Sequence, residues 1–320
     1  MYPFKLDSVL KDYIWGGHEL ERMYGKEVRG NTIAESWELC SISDGINTVR
    51  NGIFKGKKLN QIFDEFPEYV GYSYSRNDRF PLLIKFIDAK SSLSIQVHPS
   101  DELANAEAGE EGKAEMWYII SAKPRAYIYY GFKQQLGEKQ LREAIETGEI
   151  VRYLNKVEVH PGDVFYIKPG TIHAIGAGVV LAEIQQSSNT TFRIFDYNRR
   201  DMYGRARELH REEALRVLDT SPIIPNQVHE NNIINVPGGE IRQLIECEYF
   251  SVMRLNIKNG KMKFWCDPMS FHSLLIIEGE GVLENKGKKY SFKAGDSWFL
   301  PAGFAEYYLE GNAEVLLTKM

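Results

Sequence analysis

Two imidazoles, a carboxylate and an amide stand at strand-like positions in the first half of the chain, and their types suit a divalent cation. Gln96 and His98 lie two apart in a run of alternating apolar residues, Leu93, Ile95 and Val97, so a strand's period of two puts both on one face. Glu115 opens the run Met116-Trp117-Tyr118-Ile119-Ile120, at the mouth of a second predicted strand. His173 follows a third, Val164-Phe165-Tyr166-Ile167, just beyond the Pro169-Gly170 turn. Four such donors meet the needs of an open, borderline-hard divalent site, for which zinc is the first candidate.

Further polar residues interrupt apolar runs nearby. Lys85 sits within Phe80-Pro81-Leu82-Leu83-Ile84-Lys85-Phe86-Ile87, where an ammonium is costly unless it reaches water or an anion; it either faces a pocket or snorkels at an edge. Glu183 shares a strand face with Gln185, and Arg193 shares one with Thr191 and Phe195. An arginine pointing with the metal donors would offer a fixed fork to a carboxylate or phosphate; the alternative is a structural pair with Asp196 or Glu183. Glu35, Trp37 and Leu39 share a face of another run, and here Trp37 is read as core, with no direct role for it or Glu35.

The elements that must position these groups are mostly short strands. Helical periods occur at Lys58 to Val70, weakened in its second half by Pro67, after Ser100, which caps a start at Asp101, and at Arg211 to Leu218. Residues 134 to 154 show helical spacing (Leu136, Leu141, Ile145) up to a C-terminal Gly148, a helical insertion in a β framework. Gly109 to Lys113 reads as a flexible connection without P-loop spacing. His160, His210 and His229 fall in polar segments and are expected in solvent.

Composition narrows the partners. The 320 residues are 43% hydrophobic and 26% charged, with net charge -5, an ordinary globular balance that gives no basic field for nucleic acid. Lys5, Asp7, Lys11 and Asp12 break the apolar positions of the N-terminus, so neither a signal segment nor a membrane span is expected, and the location expected is cytoplasmic. Cys40, Cys247 and Cys266 are odd in number without CxxC spacing, and are read as reduced and structural.

A decayed internal copy organises the whole. Gly162-Asp163-Val164-Phe165-Tyr166-Ile167 to His173 aligns without gaps on Gly295-Asp296-Ser297-Trp298-Phe299-Leu300 to Glu306, and Glu115 to Ile120 can be laid on His272 to Ile277. Glu306 replaces His173 in the copy and no Gln-x-His precedes His272, so the copy is expected to hold no metal. With Pro222, Pro225 and Asn231-Asn232 read as linker, the division expected is 1-235, a catalytic domain with helical segments at about 134-154 and 208-220, and 236-320, a degenerate one.

Short strands, Gly-Asp turns and repeated metal motifs resemble the cupin jelly roll. The fold expected is mainly β: two cupin-type jelly-roll barrels with a helical insertion. Gln96-x-His98-Pro99, Lys113-x-Glu115, Pro169-Gly170-Thr171-x-His173-Ala174 and Glu183-x-Gln185 to Thr191-x-Arg193, in that order, resemble type I phosphomannose isomerases of the short bacterial form, over nearly the whole chain. The resemblance implies interconversion of mannose 6-phosphate and fructose 6-phosphate through an enediolate, with one zinc per chain on Gln96, His98, Glu115 and His173. It implies a pocket lined by Ser94, Lys85, Lys113 and Arg193, with the phosphate on Ser94, Lys85 and Lys113. Arg193 would then lie beside the enediolate, with Glu183 or Lys113 carrying the proton. The partner implied is a small phosphosugar, with the chain a monomer or homodimer. The alternatives are another metal-dependent cupin enzyme, a non-haem dioxygenase, against which Gln96 counts, and a non-enzymatic sugar-binding cupin.

Overall fold

The computed structural model describes residues 1–320 other than 28–29, 73, 75–77, 109–110, 202 and 226–232. His229, the Asn231-Asn232 pair and the first part of the Gly109 to Lys113 connection lie outside the described residues.

The chain is mainly β. One antiparallel sheet has six strands in the order Val164–Ile167, Glu115–Ala122, Val179–Gln186, Leu82–Ala89, Glu35–Leu39 and Val9–Lys11. A second has five: Leu154–Glu158, Tyr127–Phe132, His173–Ile175, Ile95–Val97 and Phe192–Phe195. Trp117, Ile119, Phe165 and Leu181 of the first meet Ile128 and Ile175 of the second in a shared core. The two sheets therefore face each other as layers.

The central strands Leu82–Ala89 and Val179–Gln186 are buried at every position, because their other face is covered too. There Ile84, Phe86, Ala182 and Ile184 pack with Phe4, Phe63, Phe299 and Leu316. A strand buried on both sides loses the alternating pattern, which is why Lys85 stands in an unbroken apolar run.

Helices back the five-stranded sheet. The insertion forms Glu138–Glu146 and a 3-10 turn at Glu149–Tyr153, with Gly148 between them at φ 76, a left-handed conformation that favours glycine. Its buried stripe, Leu141, Ala144 and Ile145, joins Ile95, Val97, Ala174 and Ile194 in one cluster, with Ala214 and Val217 of the helix Arg211–Val217. These helices thus brace the strands that carry Gln96, His173 and Arg193. The earlier helix runs Leu59–Glu65 and gives way to a 3-10 turn at Pro67–Tyr69, since proline cannot donate within a helix.

The last third contributes seven strands to a nine-stranded sheet, three of them long, of 16, 14 and 15 residues: Ser251–Cys266, His272–Asn285 and Ala305–Lys319. Register shifts between Lys258 and Gly260 and between Ile276 and Glu278 let these strands bend. Phe4–Asp7, at the other end of the chain, joins this sheet through Phe4↔Phe299.

Among the described residues no sheet closes into a barrel, so the expected pair of jelly-roll barrels is not confirmed. The edges of the two facing sheets are not hydrogen-bonded to each other, and in the last third the sheet continues past Ser297–Leu300 onto Phe4–Asp7 instead of returning to its first strand. The aligned copies do share a register: Ile167 pairs with Glu115 as Leu300 pairs with His272.

Candidate active site

Two cross-strand rows build the site. On the six-stranded sheet Trp37 lies opposite Lys85, Lys85 opposite Glu183, and Glu183 opposite Trp117. On the five-stranded sheet Arg193 lies opposite Gln96, and Gln96 opposite His173. In-register neighbours share a face, so register alone gathers these side chains between the layers. Glu115 begins the strand of Trp117, and its two-residue spacing brings it to the same face.

His98, Glu115 and His173 are buried, and their donor atoms lie within 4.8 Å of one another. His98 Nε2 is 3.1 Å from Glu115 Oε1, and His173 Nε2 is 3.8 Å from Glu115 Oε2. Bonds of about 2.0–2.1 Å to a tetrahedral zinc would set donors roughly 3.4 Å apart. The far side of each ring is held: His98 Nδ1 lies 2.9 Å from the Thr190 carbonyl and His173 Nδ1 2.8 Å from that of Thr171. An Nδ1–H donating there leaves the Nε2 lone pair facing Glu115, the tautomer a metal ligand needs. His98 Nε2 and Glu115 Oε1 are buried without a hydrogen bond, so two acceptors face each other, with the Lys113 ammonium 3.2 Å from the same carboxylate oxygen. A cation satisfies both. Gln96 Nε2 lies 3.3 Å from His173 Nε2, and Ser94 Oγ donates to Gln96 Oε1 at 3.3 Å. Turning that amide over presents its oxygen to the same centre.

The electrostatics agree with a cation site. Burial, with Lys113 adding to it, pushes His98 down to about 3, and burial also lowers His173, so both rings are neutral at pH 7. Burial alone would raise Glu115, but the opposing effects, led by the Lys113 ammonium, hold the carboxyl well below its usual range. Burial raises Glu183, with the Glu115 charge adding to the effect. Lys85 stays charged: burial disfavours the ammonium, but Glu183 and Glu35 more than offset it.

A cavity of about 260 Å³ opens over these groups, with Lys85, Ser94, Gln96, Lys113, Glu115, Glu183 and Arg193 in its wall. Lys85 therefore faces the pocket, where it meets Glu183 at 2.8 Å and Glu35 at 3.6 Å. Lys113 lies 3.2 Å from Glu115. Trp117 Nε1 donates to Glu183 Oε2 at 2.8 Å and to Glu115 Oε2 at 3.1 Å. Arg193 Nη1 donates to the Glu208 carbonyl at 2.8 Å, and its Nε is buried without a hydrogen bond. Its expected structural alternatives, Asp196 and Glu183, are not its partners in these contacts.

Four more residues of the wall escape a reading of the sequence: Glu35, Tyr13, Trp15 and Arg207. Glu35 accepts from Trp37 Nε1 at 2.6 Å. The spacing Glu35-x-Trp37 repeats that of Glu115-x-Trp117, and this repetition was the available signal. His210 departs from its expected place in solvent: half-buried, its Nδ1 accepts from the Arg193 backbone N–H at 3.2 Å. His160 is exposed as expected. His272 of the second copy is buried against Tyr307, Nδ1 to hydroxyl 2.9 Å, and Glu306 pairs at the surface with Lys263 at 2.6 Å. The three cysteines are free, and no described helix is long and apolar enough to cross a membrane.

Known proteins share this arrangement. Residues 3–137 match the catalytic-domain model of phosphomannose isomerase type I, and residues 240–319 match the cupin-domain model of mannose-6-phosphate isomerase. The chain is 39% identical to mannose-6-phosphate isomerase ManA of Bacillus subtilis over 99% of both chains. It is 34% identical to mannose-6-phosphate isomerase of Streptococcus mutans, over 99% of this chain and 98% of that one. The crystal structure of mannose 6-phosphate isomerase from Bacillus subtilis superposes with a TM-score of 0.93 at 34% identity, covering 100% of each chain. With relatives at this identity over its whole length and a cupin-type, mainly β fold in common, the chain belongs to the type I mannose-6-phosphate isomerases.

Proposed function

We propose that the chain interconverts mannose 6-phosphate and fructose 6-phosphate through an enediolate, with one zinc ion held by Gln96, His98, Glu115 and His173. The observation that carries this reading is the buried approach of His98 Nε2 to Glu115 Oε1, neither with a hydrogen bond, where Glu115 enters the wall of a cavity that Lys85, Lys113, Glu183 and Arg193 also line. When bound, zinc supplies a Lewis acid that offsets negative charge developing on the sugar oxygens. The remaining work falls to side chains.

Ser94, Lys85 and Lys113 line the inner wall and orient the sugar, with Arg193 directing its unused Nε–H toward the enediolate oxygen. The isomerisation takes a proton from C2 and returns one to C1, or the reverse, so one group must hold it in between. Glu183 and Lys113 are the candidates. Glu183 is fixed by Trp117 and Lys85, and burial raises its pKa above the usual carboxylate range, the direction that proton exchange calls for. Lys113 sits beside Glu115. The enzyme acts in the cytoplasm, in keeping with three free cysteines, as a monomer or homodimer.

A coupled assay for fructose 6-phosphate formed from mannose 6-phosphate tests the reading. Turnover is expected without oxygen, lost after chelation and restored by zinc. Product formation at full rate by the chelated protein, or none by the zinc-loaded one, would overturn it.

A further inference from the structure

We propose that Arg207 binds the phosphate of the substrate at the mouth of the cavity, with Asp196 as the positioning residue that aims its guanidinium. The inference rests on the phosphosugar reading above and moves the phosphate from Ser94, Lys85 and Lys113, where the family resemblance would put it, to the outer wall of the same cavity.

The inner lysines are poorly placed for a phosphate. The Lys85 side chain is 6% exposed and faces two carboxylates, Glu183 and Glu35; that of Lys113 is 5% exposed and faces Glu115. A phosphate carries close to two negative charges. Bringing it against these ammonium groups would strip its water and set it beside three carboxylates, a combination that burial makes expensive.

The outer wall offers the opposite balance. Arg207 lies in the same cavity wall as Arg193, and its side chain is 27% exposed. Its Nε and Nη2 donate to the two oxygens of Asp196 at 2.8 and 2.5 Å, a bidentate fork. Nη1 makes no hydrogen bond among the described residues. Asp196, itself buried, also accepts from Arg199, so one carboxylate serves two guanidiniums. One positive charge is left over at the opening, beside that of Arg193. Arg207 and Arg199 act on Arg193 against Asp196 and Glu208, and with burial they hold its pKa below the usual value.

The segment bearing Arg207 is held on both sides. Ala206 bridges to Arg200, the Glu208 carbonyl accepts from Arg193 Nη1, and the His210 N–H donates to the Arg193 carbonyl at 2.8 Å. A pinned, partly exposed guanidinium in the cavity wall, with its Nη1 not hydrogen-bonded among the described residues, suits binding of a phosphate better than a buried point charge does.

The test uses the zinc-loaded full chain with Arg207→Gln and Arg207→Lys. For Arg207→Gln, KM for mannose 6-phosphate should rise by about tenfold to a hundredfold, the weight of charge-assisted hydrogen bonds, with kcat changed far less and zinc content kept. Inorganic phosphate, titrated calorimetrically, should bind the variant more weakly by a similar factor, and Arg207→Lys should fall between. Asp196→Asn should move KM in the same direction. Unchanged KM and phosphate affinity in Arg207→Gln would overturn the proposal, as would a fall in kcat alone. Should that variant not fold, Arg207→Lys carries the same reading: unchanged KM and phosphate affinity there would also sink it. Failure of the wild type to turn over mannose 6-phosphate would instead defeat the functional reading beneath it.

Discussion

His98 and His272 are both buried imidazoles, yet their surroundings part them. His98 faces a carboxylate across a gap with no hydrogen bond, whereas His272 has Tyr307 as a partner. Burial, then the Lys319 charge, pushes His272 down to about 4 from 6.5, with Asp267 opposing. Its folded pKa is the lower one, so between pH 6.5 and 4 the unfolded chain takes up a proton that the folded chain refuses. Its contribution is therefore full above pH 6.5 and lost as the pH falls through 4, about 3 kcal/mol in all. His272→Gln should flatten the acid side of the stability profile by that amount in denaturant titrations at pH 7 and pH 4. An identical pH dependence in variant and wild type would contradict the burial argument. The grouping of His98, Glu115 and His173 was legible in the sequence because each stands in or beside a strand with a definite face. Glu35 and Arg207 were not: the first acts through a neighbour across the sheet, the second from an irregular loop without period.

At the scale of elements, the site is a matter of register. The rows Trp37, Lys85, Glu183, Trp117 and Arg193, Gln96, His173 arise because seven strands pair in this register, the shifts in it falling beside the rows, between Trp37 and Leu39, Val180 and Leu181, and Arg193 and Phe195. A shift of one residue would turn every one of these groups to the other face. The turn Trp15-Gly16-Gly17 sets the rim in the same way. A Cβ on Gly16 would lie 2.7 Å from the backbone of Ala34, which is buried and cannot yield cheaply. Gly16→Ala should cost about 1–3 kcal/mol and, by moving Trp15 and Tyr13 in the cavity wall, raise KM. Thermal unfolding and steady-state kinetics check this together, and a variant with unchanged melting temperature and KM would refute it. That turn was visible as a turn in the sequence, but the close approach of Ala34 was not, since only the fold brings residues 16 and 34 into contact.

Across the whole molecule, one pairing pattern occurs twice, and among the described residues a cluster that could hold a metal, His98, Glu115 and His173, accompanies one copy. The shared pairing register of the two copies survives the replacement of Glu115 by His272 and of His173 by Glu306, so packing and chemistry were separable during its history. The mainly β class followed from the short strands and the repeat. The closed barrels did not, because bending of 14- to 16-residue strands at register shifts, and capture of Phe4–Asp7 by the last sheet, are tertiary events with no local signature. The account as a whole stands on one cation where the facing sheets meet. Zinc per chain, measured after chelation, reloading and desalting, tests it most directly. About one ion is expected for the wild type and for Arg193→Ala, and less than about a tenth for His173→Ala; a full ion retained by folded His173→Ala would contradict the account.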